Sequence, residues 1–184
     1  DPGFDGCWMG CTVACSHGVK DFVPLTGPFK GEKVFVDGPE YETVAGCGSN
    51  LGIFDPNTVV ELNFYCDAYG LDTISVGTAI AFAMECFEKN ILSEKDTNGL
   101  DIRFGNAEAM VKLVEMIALR KGIGDVLAEG VRISSKKLGR NSEKYALHVK
   151  GKELPMHEPH KQAFREHWKR LHTDFRLPAY QQRW

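Results

Sequence analysis

The chain has 184 residues, of which 43% are hydrophobic, so it can bury a core, and disorder over most of its length is excluded. Its net charge of -3 excludes the strongly basic character of proteins that bind nucleic acid or anionic membranes. No apolar run reaches the roughly 18 residues of a membrane-spanning helix, and no signal-peptide pattern is present. The chain begins at Asp1 instead of Met, and we expect it to be a piece of a longer polypeptide.

Three cysteines fall close together near the start of the chain, at Cys7, Cys11 and Cys15. On a helix, this spacing would place the thiols on one face, about 6 Å apart along the axis. Three thiols cannot all pair locally as disulfides, and zinc usually takes two cysteines from one short stretch. Iron–sulfur clusters more often take three thiolates from one run and a fourth from a distance. The run therefore favours an iron–sulfur cluster over zinc, unliganded thiols or redox thiols, in a reducing compartment such as the cytoplasm.

A Gly- and Pro-rich stretch separates the cysteine run from the first predicted helix. Residues 21–40 should form a loop with at most a small hairpin, because short apolar pieces there alternate with turn signals. The first helix should begin at the N-cap Asp55 and end at Gly70, which suits the left-handed conformation of a helix C-terminus. A second helix, at about 73–89, is apolar almost all round and should be buried.

Two further helices are predicted from apolar residues that recur at the helical period. The third should begin at the cap Asn106 and stop at Gly122, and the fourth should run from about Asp125 to Leu138. Beyond them, a short extended or helical piece leads into a loop that contains Pro and His and then into a basic tail without a clear period. This pattern predicts an all-α fold, an irregular helical domain with long loops.

Five segments, taken in order, resemble the aldehyde ferredoxin oxidoreductase family of tungsten enzymes. The most specific contains Asp-Ala-Tyr-Gly-Leu-Asp, which is similar to the family's pterin-binding DxxGLD motif. The cysteines are spaced C-x3-C-x3-C where the family commonly has C-x2-C-x3-C, and Glu158-Pro159-His160 replaces its Asp-Pro-Arg. The resemblance covers about residues 5–164, and its segments are Cys7–Cys15, Pro39–Asn50, Asp67–Ser75, Gly124–Val131 and His148–Pro155.

The resemblance implies a fold like domains 2 and 3 of that family, helical with long cofactor-binding loops. Residues 1–148 would form the cluster- and pterin-binding domain, incomplete at its N-terminus, and residues 149–184 would begin a second helical domain. The implied cofactors are a 4Fe–4S cluster and a tungsten or molybdenum bis-pterin, with magnesium as a further candidate. The implied reaction oxidises an aldehyde to a carboxylate, and its electrons leave through the cluster to ferredoxin or an electron-transfer subunit. A homo-oligomer is compatible with it.

The resemblance also assigns roles to individual side chains. Cys7, Cys11 and Cys15 would supply three thiolate ligands of the cluster, and the family's fourth cysteine lies in a segment that this chain lacks. Glu42 lies in a segment that passes close to the metal in the family, where a carboxylate could move a proton. Without the resemblance, Glu42 reads equally well as a solvated loop acid.

The segment from Asp67 to Asp72 would bind the pterin. Gly70 permits close approach of a ligand to the backbone, beside Leu71, and the carboxylates of Asp67 and Asp72 can accept hydrogen bonds from the N–H groups of a pterin. Without the resemblance, the same pattern is more typical of a helix stop followed by an N-cap.

Other polar residues have simpler interpretations. Glu61 is expected to be a charge on a helix surface, and His157 and His160 are expected to be loop histidines instead of metal ligands. The remaining cysteines, which are Cys47, Cys66 and Cys86, lie outside any cluster-binding motif and are not assigned as ligands.

Three other functions stay open at the level of sequence. Tungsten-dependent aromatic acyl-CoA reductases are relatives of the resembled family, so the substrate could be an acyl-CoA instead of an aldehyde. The cysteine run could also belong to a helical zinc-binding or interaction module without a redox role. An electron-transfer module without its own active site would bind iron but neither tungsten nor molybdenum.

Overall fold

The computed structural model describes residues 3–5 and 10–156, with side chains described from residue 10 onward. Cys7, His157 and His160 lie outside the described residues, as does most of the predicted second domain. The described part is mostly helical, with a small sheet near its start. Its strands and helices are β1 (Gly3–Asp5), β2 (Ser16–Phe22), β3 (Val34–Val36), α1 (Tyr41–Cys47), α2 (Pro56–Tyr69), α3 (Thr73–Glu88), α4 (Ala107–Ala118), α5 (Ile123–Leu127), α6 (Val131–Leu138), β4 (His148–Val149) and β5 (Lys152–Glu153).

The first three strands form an antiparallel sheet in the order β1-β2-β3. Asp5 pairs with Ser16, so residues 6–15, which contain all three clustered cysteines, connect the ends of two paired strands. The pairing of Val19 with Val36 confirms a hairpin before the first long helix, although β2 begins earlier than predicted. The all-α prediction is therefore wrong in its strict form, and the fold is mostly helical.

Helices α2 and α3 follow the predicted boundaries closely because both are capped by their own sequence. The Asp55 carboxylate accepts a hydrogen bond from the Thr58 N–H at 2.9 Å, and Pro56 occupies the first turn. Gly70 ends α2 in the left-handed conformation at φ 69°. Helix α3 is buried along its length from Val76 to Cys86, as predicted from its apolar composition.

Helix α3 is the centre of the core, because it contacts α1, α2, α4, α5 and α6. It approaches α1 closely at a pair of glycines: a Cβ added at Gly77 would lie 2.8 Å from the backbone oxygen of Gly46. This contact requires Gly at position 77 and fixes α1 against α3. Short helix α1 was not predicted, although it carries the candidate residue Glu42.

The predicted fourth helix is divided in two. Helix α5 ends at Leu127 and α6 begins at Val131, because Gly130 between them has φ 77° and ψ 161°, which no helix accommodates. Gly122 precedes α5 instead of ending α4, which stops at Ala118. The predicted end of the fourth helix, at Leu138 before Gly139, is confirmed.

The loop that follows β2 is held to α2 by a buried carboxylate. Glu61 is only 4% exposed, and it accepts hydrogen bonds from the backbone N–H groups of Leu25 (3.1 Å) and Thr26 (2.8 Å) and from the Thr26 hydroxyl. The Tyr65 hydroxyl donates to the Thr26 carbonyl at 2.5 Å. The prediction that Glu61 is a surface charge is therefore wrong, because the side chain is buried. Its partners lie 35 and 36 residues earlier in the chain, so the pattern of the helix could not indicate this.

None of the described helices is by itself long and apolar enough to cross a membrane, and only α2 and α3 taken together, bent by 116°, meet the criteria of length and composition.

Candidate functional site: a cysteine loop and a helix corner

Cys11 and Cys15 lie in the loop that connects β1 to β2. Both thiols are half-buried and neither is in a disulfide. The backbone from residue 10 to residue 15 forms a turn and bends without helix, and Ala14 has a positive φ of 45°. The helical spacing considered for the cysteine run is therefore wrong for Cys11 and Cys15, which are presented by irregular backbone between two strands.

The segment from Asp67 to Asp72 forms the corner between α2 and α3, and we call residues 67–72 the corner. The Gly70 N–H donates to the Asp67 carbonyl at 3.1 Å, and the Leu71 N–H donates to the Cys66 carbonyl at 2.8 Å. The Asp72 carboxylate then accepts the Ser75 N–H at 2.9 Å, which caps α3. The reading as a helix stop followed by an N-cap is thus confirmed as local structure.

The corner also leaves room for a ligand. Among the residues that the structure describes, no atom would lie within 4 Å of a Cβ added at Gly70, so they leave that side of the backbone open. Within residues 10–156, each carboxylate that flanks Gly70 has one oxygen in a hydrogen bond, Asp67 with Asn63 and Asp72 with Ser75. Because a carboxylate accepts several hydrogen bonds, both can still receive N–H donors from a heterocycle such as a pterin. The two acceptor carboxylates and the open glycine fit the predicted cofactor, whose N–H groups are donors.

Asn63 holds the Asp67 carboxylate in place and connects it to the sheet. Its side chain is buried, and its Nδ2 donates to Asp67 Oδ2 at 3.0 Å and to the Asp37 carbonyl at 2.7 Å. Asp37 follows β3, so one amide joins the end of the sheet to the corner. Sequence reasoning missed Asn63, although it stands four residues before Asp67 and thus on the same helix face.

Asp67 lies in an acidic environment. Although the residue as a whole is exposed, partial desolvation raises the pKa of its carboxyl, and the charges of Asp37 and Glu40 raise it further. The hydrogen bond from Asn63 opposes both effects, because it stabilises the ionised form. The corner is therefore a place where a donor-rich ligand would relieve repulsion among carboxylates.

Glu42 lies in the first turn of α1 and is half-buried. Its Oε2 accepts the backbone N–H of Met156 at 2.6 Å, across 114 residues of sequence. The interpretation of Glu42 as a solvated loop acid is therefore wrong. Helix α1 is joined to the start of α3, since the hydroxyl oxygens of Thr43 and Thr73 lie 2.9 Å apart and Thr73 follows Asp72 directly. The structure thus brings the helix that carries Glu42 to the corner.

The three other cysteines are buried in the core. A hydrogen bond with Cys47 and burial raise the pKa of the Cys66 thiol above its usual range, and burial raises the pKa of Cys86 to about 12. Since a metal ligand must be a thiolate, these surroundings oppose ligation. Within the part of the chain that the structure describes, no group of three or more His, Cys, Asp or Glu residues is arranged to hold a metal ion. A metal or cluster held by Cys11 and Cys15 would need a further ligand, and Cys7 is the nearest cysteine in the sequence.

Comparison with known proteins places the chain in a family of redox metalloenzymes. The family model described as aldehyde ferredoxin oxidoreductase, domains 2 and 3, matches residues 2–167. The chain therefore belongs to the aldehyde ferredoxin oxidoreductase family, as the resemblance of its motifs predicted. The extent of the match agrees with the predicted range of about 5–164.

Named relatives of this chain are oxidoreductases. A tungsten-containing aldehyde ferredoxin oxidoreductase of Pyrococcus horikoshii is 38% identical over 154 residues, which cover 82% of this chain and 24% of the relative. The WOR-like subunit of an aliphatic sulfonate oxidoreductase of Pyrococcus furiosus is 39% identical over 77% of this chain and 22% of its own length. The chain thus spans about a quarter of these relatives.

A solved structure shares the fold. The active-site complex BamBC of benzoyl coenzyme A reductase, bound to 1,5-dienoyl-CoA, matches with a TM-score of 0.64 and 26% identity. The match covers 82% of this chain and 21% of that chain. This similarity and the family match confirm the expected fold of domains 2 and 3. The comparisons give no support for magnesium as a further cofactor.

Proposed function

We propose that this chain is part of the catalytic subunit of a tungsten–pterin, iron–sulfur oxidoreductase that oxidises an aldehyde to a carboxylate. The observation that carries the proposal is the corner, where two carboxylates flank an open, left-handed glycine in the segment that resembles the family's pterin motif. The names of several relatives, which are tungsten-containing aldehyde ferredoxin oxidoreductases, support the metal and the substrate class. When bound, the pterin-held metal and the cluster would supply the redox chemistry that no side chain can provide.

The cysteine loop would hold the cluster. Cys7, Cys11 and Cys15 would give three thiolates, and the fourth ligand would come from outside this chain, with ferredoxin or an electron-transfer subunit as the electron acceptor. Cys11 and Cys15 are suited to this role because they are half-buried, free of disulfides and presented by irregular backbone that can turn its thiols toward one object. Their surroundings differ from those of the three core cysteines, which are buried.

The corner would orient the pterin. Asp67, fixed by Asn63, and Asp72, fixed by its cap to Ser75, would accept hydrogen bonds from ring and amino N–H groups, and Gly70 with Leu71 would let the ring approach the backbone. Because both carboxylates are already held by the protein, little side-chain freedom would be lost when the cofactor binds.

Glu42 would accept a proton released during oxidation of the substrate. The Met156 N–H donates a hydrogen bond to Oε2 of this carboxylate at 2.6 Å. The same bond fixes the direction in which the carboxylate points.

Metal analysis of the intact protein, purified without oxygen, tests the proposal. We expect about four iron atoms and four sulfides per subunit together with tungsten, and reduction of a viologen dye that depends on an aldehyde. Stoichiometric zinc without iron would contradict the proposal, and iron without tungsten or molybdenum would leave only an electron-transfer module. The 184-residue piece alone should show no turnover, because it spans only about a quarter of its named relatives.

A second candidate is reduction of an aromatic acyl-CoA. It is favoured by the structural similarity to the BamBC complex, whose name states that it acts in a benzoyl-CoA reductase. The two candidates separate in one assay: the intact protein should oxidise simple aldehydes under the first, and it should act only on an aromatic acyl-CoA or its dienoyl product under the second.

A further inference from the structure

The segment 148–156, which contains β4 and β5, crosses the starts of two helices on its way to Glu42. Its two strands pair antiparallel, His148 with Glu153, around a turn at Lys150 and Gly151 where φ is positive. The Gly151 N–H donates to His148 Nδ1 at 3.2 Å, which closes the turn. The end of the segment is Met156, whose N–H meets Glu42.

One side chain of this segment, Glu153, contacts both helix starts. Its Oε1 accepts the N–H of Val131, the first residue of α6, at 2.9 Å. Its Oε2 accepts a longer hydrogen bond of 3.4 Å from the Ser75 hydroxyl in the first turn of α3. A carboxylate at these positions satisfies helix donors and interacts favourably with the positive end of each helix.

Gly130 leaves room for the Glu153 carboxylate beside the start of α6. A Cβ at Gly130 would lie 2.8 Å from Glu153 Oε1, and Gly130 has a positive φ of 77°. The break between α5 and α6 thus exposes the Val131 N–H to Glu153. This contact gives the divided helix a second physical reason, beside the conformation of Gly130, and its partner lies outside residues 123–138.

Glu153 is connected to two candidate site residues. Ser75, which donates its hydroxyl to Glu153, also donates its N–H to Asp72 of the corner. Three residues after Glu153, Met156 donates to Glu42. Pro155 stands between them and restricts the backbone of the preceding residue, so we expect a shift at Glu153 to move Met156 over this short distance.

We propose that Glu153 is a positioning residue that holds segment 148–156 on the starts of α3 and α6, so that the Met156 N–H meets the Glu42 carboxylate. This inference rests on the proposed function, in which Glu42 accepts a proton. Glu153 itself touches neither substrate nor cofactor in this account. It acts through Met156 on the orientation of Glu42.

The test uses the intact, cofactor-loaded protein with Glu153→Leu, Glu153→Gln and the control Glu143→Gln, which changes an exposed glutamate in the turn Ser142–Tyr145. For Glu153→Leu we expect kcat to fall about tenfold with KM within about twofold, because Glu42 is misplaced while substrate contacts remain. The exchange of the Met156 amide hydrogen should become about tenfold faster. Glu153→Gln should restore most of both, since its amide oxygen can still accept the Val131 N–H, and Glu143→Gln should match the parent.

Several outcomes would overturn the inference. Parent-like kcat and parent-like amide exchange in Glu153→Leu would show that the segment is held without this carboxylate. If Glu153→Leu lowers the tungsten content and the melting temperature as well as kcat, Glu153 has a general structural role. If Glu153→Leu does not fold, Glu153→Asp provides the readout, because its shorter side chain withdraws the carboxylate from Val131 and Ser75. Unchanged exchange at Met156 in that variant would overturn the inference. Faster exchange in a protein that lacks aldehyde activity would contradict the proposed function while leaving the positioning role intact.

Discussion

The corner and the cysteine loop obtain their geometry in different ways. At the corner, each feature is fixed by bonds of the chain itself: Gly70 ends one helix, Asp72 caps the next, and Asn63 holds Asp67. In the cysteine loop, Cys11 and Cys15 stand on irregular backbone whose regular support comes from the strands on either side. The comparison indicates that the proposed pterin site is organised by the polypeptide, whereas the proposed cluster site would depend on its ligand for its final geometry.

The largest effect is expected in the cysteine loop. Cys15→Ser in the intact protein should lower the iron content per subunit about tenfold or more, because a hydroxyl is a poor substitute for a thiolate ligand. Cys86→Ala serves as the control, since Cys86 is buried and its thiol has a pKa raised to about 12. Iron analysis and the visible absorption of the cluster give the measurement. Full iron occupancy in Cys15→Ser would show that Cys15 is not a ligand of the cluster.

Packing beneath the corner gives the next largest effect. Gly77→Ala would place a Cβ 2.8 Å from the backbone oxygen of Gly46, which cannot rotate away. We expect a loss of about 1–3 kcal/mol in the free energy of unfolding, measured from the urea midpoint, because α1 and α3 must move apart. Ala79→Gly, on the same buried helix, is the control for helix propensity and should cost about 1 kcal/mol. A neutral Gly77→Ala would contradict the close approach of the two helices.

A pair of N-cap substitutions separates the local role of Asp72 from its proposed role in binding. Asp72→Ala and Asp55→Ala each remove a carboxylate that accepts an N–H at 2.9 Å, so each should cost about 1 kcal/mol of stability. Only Asp72→Ala should also lower the tungsten content, because Asp55 lies at the other end of α2. Equal tungsten content in the two variants would show that Asp72 only caps α3 and does not bind the cofactor.

The smallest effect is the dependence of stability on pH at Asp67. The folded-state pKa of Asp67 is raised, chiefly by desolvation, so the folded state binds the proton more tightly than the unfolded state does. The stabilisation that comes from the protonated Asp67 is complete below the ordinary pKa of aspartate. It is lost as the pH rises through the raised pKa of the folded state. Asp67→Asn should therefore be slightly more stable than the parent at neutral pH and equal to it in acid.

Asp101→Asn provides the matched control of opposite sign. The hydrogen bond and charge of Arg103 lower the pKa of Asp101, so its stabilising contribution is present above the ordinary pKa and is lost in acid. Thermal unfolding of both variants from acid to neutral pH gives the comparison. If the Asp67→Asn variant is less stable than the parent at neutral pH, the ionised carboxylate is favoured at the corner and the prediction is wrong.

The two long helices could be predicted because their signals are local. Asp55, Gly70 and Asp72 act on residues within one turn of themselves, and α3 is apolar over its whole length. The family motif added what the local pattern could not provide, since a stop followed by a cap is common in helical proteins. The same corner is therefore predictable both as structure and as a candidate binding site.

The features that were missed depend on distant partners. Glu61 is buried because a loop more than 30 residues earlier supplies three donors, and no pattern within its helix indicates this. The break at Gly130 adjoins Glu153, which lies 22 residues after Val131. The role of Cys7 as a ligand stays a prediction, since it lies outside the described residues, and the substrate cannot be read from a segment that forms only part of the relatives' length.

Anomalous X-ray diffraction from crystals of the intact, anaerobically purified protein, recorded at the iron and tungsten absorption edges, tests the central claim most directly. We expect iron density bonded to the sulfurs of Cys11 and Cys15 and a tungsten peak whose pterin reaches the open side of Gly70. Thiols that point apart with no iron between them, or a corner packed against ordinary protein far from any tungsten, would contradict it.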